Sequence, residues 1–210
     1  RRTIHDSRDA YDLYLYNEND QLITERNIDA FVQVSTVLPE HKIAGFVRYE
    51  NYQGQRFYPD FHRKFVWKPS LHVGEYTFAE FTNLHQGSFL VTRTQLARAI
   101  AAAGEAFYRK DSRLWDSPYD NLARCSTDLY DTGFEKVIPV SHFDDFLIHH
   151  LPDKYYGVYD TRCDDVMMPI IKALTKRPKY SIIIPTLNHL SDCLIPCCES
   201  IKKYTDPSNV

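Results

Sequence analysis

The stretch DLYLYNENDQLIT, residues 12–24, alternates leucine with tyrosine and then runs into acid. Leu13 and Leu15 share one face of an extended segment and Tyr14 and Tyr16 the other, because successive strand side chains point to opposite sides. The strand stops where Glu18-Asn19-Asp20 begins. Glu18 and Asp20 are two residues apart, so in extended backbone both carboxylates point the same way. Two hard oxygen ligands on one side of a strand end suit a divalent cation. The same residue types also make a solvated turn.

Outward from this stretch, helical and extended patterns alternate. TERNIDAFVQVSTVL (24–38) spaces Ile28, Phe31, Val32 and Val34 near the helical period, with Thr24 as N-cap and Pro39 closing the element. KIAGFVRYE (42–50) is expected as one strand, and residues 51–75 as an aromatic, turn-rich region. GSFLVT (87–92) predicts a strand, RTQLARAIAAAG (93–104) a helix ended by Gly104, and SPYDNLARCSTDLYDTG (117–133) a helix capped by Ser117. KVIPVS (136–141) predicts a strand and DDFLIHHLP (144–152) a short helix or turn. Residues 153–178 are polar and irregular apart from DVMMPIIKAL (165–174), which predicts a linker. YSIIIPTLN (180–188) is a β-branched run bounded by proline, the pattern of a buried parallel strand, with a helix from Ser191 behind it. The expected class is α/β: a mixed sheet flanked by helices over 1–152, then an isolated β-α unit over 179–210.

Bulk properties narrow the function. A formal charge of −3 over 210 residues gives no basic footprint, against nucleic-acid binding. No apolar run is long enough to span a membrane. Five irregularly spaced cysteines predict free thiols in a reducing, cytoplasmic compartment. The chain opens on Arg1 rather than Met and stops soon after a helical pattern, so an excised piece of a longer protein is expected.

YSIIIPTLNHLSDCLIPCCESIKKYT (180–205) resembles the opening of family 2 glycosyltransferases, a strand of the type S-I-I-I-P-T-x-N followed by a helix. The resemblance implies that Pro185, Thr186 and Asn188 lie beside the base of a nucleotide sugar, at the carboxyl end of the strand where α/β sheets bind ligands. It also implies that this piece alone is inactive, since the family's metal-binding acids would fall beyond Val210. Residues 1–152 resemble the C-terminal half of a Rossmann-related GT-A glycosyltransferase domain. YNENDQ (16–21) stands where that fold carries its Asp-x-Asp-like motif, with Glu18 in place of the usual Asp. NLHQGSFLVTRTQL (83–96) stands on the acceptor side, SPYDNLA (117–123) offers Asp120 as base, and FLIHHLP (146–152) offers His149 or His150 to complete a metal site.

The chemistry implied is transfer of a sugar from a nucleotide-sugar donor to a saccharide or other hydroxyl acceptor. Glu18, Asp20 and a histidine would hold Mn²⁺ or Mg²⁺ against the leaving diphosphate, the imidazole favouring manganese. Asp120 would deprotonate the acceptor; a helix-start acid favoured by the dipole is the plainer alternative. His85 and Gln86 could hydrogen-bond sugar hydroxyls and Trp67 stack on a ring, although aromatics of this kind ordinarily fill a core. Manganese-dependent polysaccharide biosynthesis, peripheral to a membrane in the full-length protein, completes the expectation. A metal-dependent hydrolase and a non-catalytic carbohydrate-binding or scaffolding module are the rival classes.

Overall fold

The computed structural model describes residues 2–61, 66–107, 124–156, 162–176, 191 and 194–204. It divides into two units, 1–175 and 176–210. In chain order the first unit contains α1 (Arg2–Asp6), β1 (Leu13–Asn17), β2 (Gln21–Leu22), α2 (Glu25–Ser35), β3 (Lys42–Ala44), β4 (Val47–Tyr52), β5 (Gln55–Tyr58), β6 (Trp67–Val73), β7 (Tyr76–Phe81), β8 (Ser88–Thr92), α3 (Arg93–Ala103), β9 (Glu135–Pro139), β10 (Leu147–His150), β11 (Arg162–Cys163) and α4 (Asp164–Leu174). In the second unit α5 (Ile195–Tyr204) is described, and the expected strand over 180–188 lies outside the described residues. No described helix is long and apolar enough to cross a membrane.

The described strands form three sheets in a mixed α/β architecture. A two-stranded ribbon pairs β1 with β8; five strands run in the order β11-β5-β4-β10-β2; four run β3-β9-β7-β6. β10 is parallel to β4 and β3 to β9, while the other pairs are antiparallel. Sequence neighbours diverge into two cores. Phe46, Phe78, Val137 and Ile148 enter one, with Phe31 of α2 and Leu96 of α3. Val47, Ala79, Ile138 and Leu147 enter the other, with Met167 and Ile171 of α4. That is the consequence of period-two side chains in sheets covered on both faces.

Local chemistry sets several boundaries as the sequence predicts. Thr24 caps α2 and Thr92 caps α3, each in a reciprocal capping box with the residue three positions on, Asn27 and Gln95. Three expectations need correction. KIAGFVRYE is not one strand: it breaks at Gly45 into β3 and β4, which belong to different sheets. A Cβ at Gly45 would lie 2.6 Å from Gln86 Oε1 and from Lys136 Cε, so the chain turns where a side chain would collide. Residues 147–150, expected as helix or turn, form β10, because Leu147 and Ile148 bury on opposite faces between two partner strands. The expected linker is also folded in part: β11 pairs with β5, and α4 packs its apolar face on the second core.

Candidate metal centre

The turn after β1 is tightly held. Glu18 N–H donates to Gly87 O (3.0 Å), Gln21 N–H to Glu18 O (3.3 Å), and Asn17 Nδ2 to Gln21 O (2.9 Å). Gly87 has φ +67, and a Cβ there would stand 1.6 Å from Gln21 Nε2 and 3.0 Å from Glu18 Oε2. Glycine is therefore required by both backbone conformation and close approach.

Antiparallel pairing of β10 with β2 sets His150 opposite Gln21, and Leu151 N–H donates to Asp20 O at 2.8 Å. His150 Nε2 thereby lies 3.2 Å from Asp20 Oδ2, across 130 residues of chain. Its other nitrogen, Nδ1, is 2.5 Å from Glu50 Oε1, and the Tyr155 ring stacks on the imidazole at 5.2 Å. Register decides between the two candidate histidines. His149 points to the opposite face, where it meets Asp153 at 2.9 Å and stacks on Tyr49 at 5.0 Å. There it lines a cleft of about 360 Å³ with Arg26, Arg56 and Asp144, so it does not join Asp20.

Polar atoms without partners gather around the turn. Glu18 Oε1, Asp20 Oδ1, both amide atoms of Gln21 and Ser88 Oγ are buried and have no hydrogen-bond partner among the described residues. Each such group costs roughly 1–3 kcal/mol if left so. Burial pushes the Glu18 carboxyl up to about 7; nearby Arg48 draws it down and Asp20 adds to the rise. Arg48 is buried and locked by Asp60, with Nε and Nη2 on Oδ1 (2.8 and 2.6 Å) and its own N–H on Oδ2 (2.7 Å). Lys136 sits in the same buried polar layer and donates to Asn83 O at 3.2 Å.

No protein-family model, curated protein or solved structure matches this chain. The donor set must therefore be judged on its own chemistry. Asp20 Oδ2 beside His150 Nε2, with Glu18 two residues before Asp20, supplies the oxygen and imidazole donor types that Mn²⁺ or Mg²⁺ takes, and such ions keep positions for phosphate and water. Among the described residues, no group of three or more His, Cys, Asp or Glu side chains is placed to hold a metal ion.

The other expected site residues scatter. Gln86 is buried and spends its amide internally, accepting from Phe46 N–H (2.9 Å) and donating to Tyr130 OH (2.9 Å). It braces the core rather than facing an acceptor. Trp67 packs on Phe61 and Phe81 at ring distances of 5.5 and 4.8 Å, the bland core role of an aromatic. His85 is half-buried just before Gly87, its N–H bonded to Asn83 Oδ1 (3.1 Å). Asp120, Pro185, Thr186 and Asn188 lie outside the described residues. Arg48, Glu50 and Gln21 escaped notice in the sequence. The available signal was two charges at alternate positions of the apolar run FVRYE, which only a polar layer beneath the sheet can accept.

Proposed function

We propose that this chain carries the metal-binding half of a glycosyltransferase that moves a sugar from a nucleotide-sugar donor to a saccharide hydroxyl. The observation that carries it is the meeting of Asp20 and His150, remote in sequence, near buried carboxylate oxygens that no described residue satisfies. Glu18 and Asp20 would hold Mn²⁺ or Mg²⁺ through oxygen and His150 through Nε2. When bound, that cation neutralises charge on the leaving diphosphate. Arg48, fixed by Asp60, adds positive potential close to both carboxylates. Asp120 is proposed as the group that takes the acceptor proton, and Pro185, Thr186 and Asn188 as contacts to the nucleotide, both on the resemblance alone.

Calorimetric titration of Mn²⁺ with uridine or guanosine diphosphate tests the reading. Asp20→Asn is expected to weaken metal-dependent binding at least about tenfold while stability moves by less than about 1 kcal/mol, since the side chain is one-third exposed. Equal affinity in wild type and variant, for every nucleotide tried, would retire the proposal.

A further inference from the structure

We propose that Glu50 is the positioning residue of this centre: one buried carboxylate fixes the ring of His150 and also ties down the chain segment that follows it. The inference rests on reading Asp20 and His150 as metal ligands. Glu50 is fully buried on β4, on the same face as Arg48, and parallel pairing of β4 with β10 sets it under His150. Its Oε1 faces His150 Nδ1 at 2.5 Å. Its Oε2 accepts two backbone N–H groups, from Tyr155 at 2.7 Å and Tyr156 at 2.9 Å.

A carboxylate offers only acceptors, so the proton on this side belongs to Nδ1. With a single ring proton held at Nδ1, it is the Nε2 lone pair that faces Asp20 Oδ2, 3.2 Å away, and is free to take a cation. Glu50 thus sets which nitrogen is available, as outer-shell carboxylates of metal-bound histidines do. The two amides it holds anchor Tyr155, whose ring lies 8° from parallel on the imidazole, and Tyr156, which stacks on Tyr52 at 3.9 Å. Ring tautomer, ring plane and the following backbone therefore share one support.

The test reads the ring first and the metal second. Long-range ¹⁵N–¹H spectra of the metal-free full chain, with His150 assigned by loss of its signals in His150→Gln, should show the Nδ1–H tautomer. In Glu50→Gln that tautomer should no longer dominate, and Mn²⁺ affinity of the folded protein should fall about 10–100-fold. An Nε2–H tautomer in wild type overturns the proposal without any variant, which covers the case where Glu50→Gln does not fold. A folded Glu50→Gln protein with unchanged ring signals and unchanged Mn²⁺ affinity also overturns it. Should wild type bind no Mn²⁺ while the tautomer still depends on Glu50, the positioning role stands and the metal reading of the site falls.

Discussion

Lys136 shows how much a single side chain can cost when a sheet is covered on both faces. It stands on β9, 3% exposed, among Asp60, Arg48 and Asn83. Burial lowers its pKa from 10.5 to about 7; Asp60 opposes the shift and Arg48 adds to it. The unfolded chain therefore holds this proton up to about pH 10.5, whereas the folded chain releases it above about 7. Between those limits the unfolded state binds more protons, so stability rises with pH, by at most about 1.4 kcal/mol per pH unit. Below pH 7 both states are protonated and the gain is absent. Lys136→Met keeps the length of the side chain and removes the charge, so the rise contributed by this residue should vanish. Urea midpoints at several pH values from 7 to 10 check it as a difference between the two proteins, which cancels tyrosine and cysteine titrations common to both. Parallel pH profiles would show that Lys136 keeps its proton throughout.

Among the elements, α2 shows what was legible. Its start could be found locally, because a threonine cap and an apolar stripe at helical spacing are properties of a few adjacent residues. The β8–α3 junction was legible from the strand and helix patterns that meet there, whereas its Thr92 cap was seen only in the structure. β10 was not legible: four residues between the 3₁₀ stretch Val140–Phe146 and Pro152 have no period to read, and the strand exists only because β4 and β2 flank it. The site divides in the same way. Glu18 and Asp20 were visible by residue type and spacing, whereas the choice of His150 over His149 needed the register of that hidden strand. Asn27 joins the two cases. Its Oδ1 accepts from Thr24 N–H at 2.9 Å inside the cap, and its Nδ2 donates to Asp145 O and Leu147 O at 2.8 and 3.0 Å, pinning β10 to α2. Asn27→Ala should cost about 2–4 kcal/mol, because it orphans buried carbonyls as well as the cap. Thr24→Ala should cost only about 1 kcal/mol. Asn27→Asp keeps the acceptor but loses both donors, so denaturation should place it near the alanine variant; a value near wild type would deny the link to β10.

At the scale of the whole molecule, the boundary of the first unit decides whether the centre survives alone. The three sheets and two cores of the described residues, and every described group of the candidate metal centre, lie within residues 2–175. The sequence suggested that the domain closes at Pro152, but α4 lies beyond that point and buries Met167 and Ile171 in the second core. Burying two such side chains stabilises by about 3–6 kcal/mol. Asp164, at the start of α4, also accepts from Tyr58 OH at 2.5 Å and pairs with Arg56 at 3.0 Å, so its loss would strand a buried hydroxyl. A chain ended after Thr175 should therefore melt in one cooperative transition and keep the Mn²⁺ affinity of the full chain. A chain ended after Pro152 should lose at least about 3 kcal/mol or fail to fold, given that domains of this size are stable by only about 5–15 kcal/mol. Paired thermal melts and Mn²⁺ titrations of the two truncations decide between the boundaries. Equal stability of both would mean that α4 is an appendage, and that the second core closes without it.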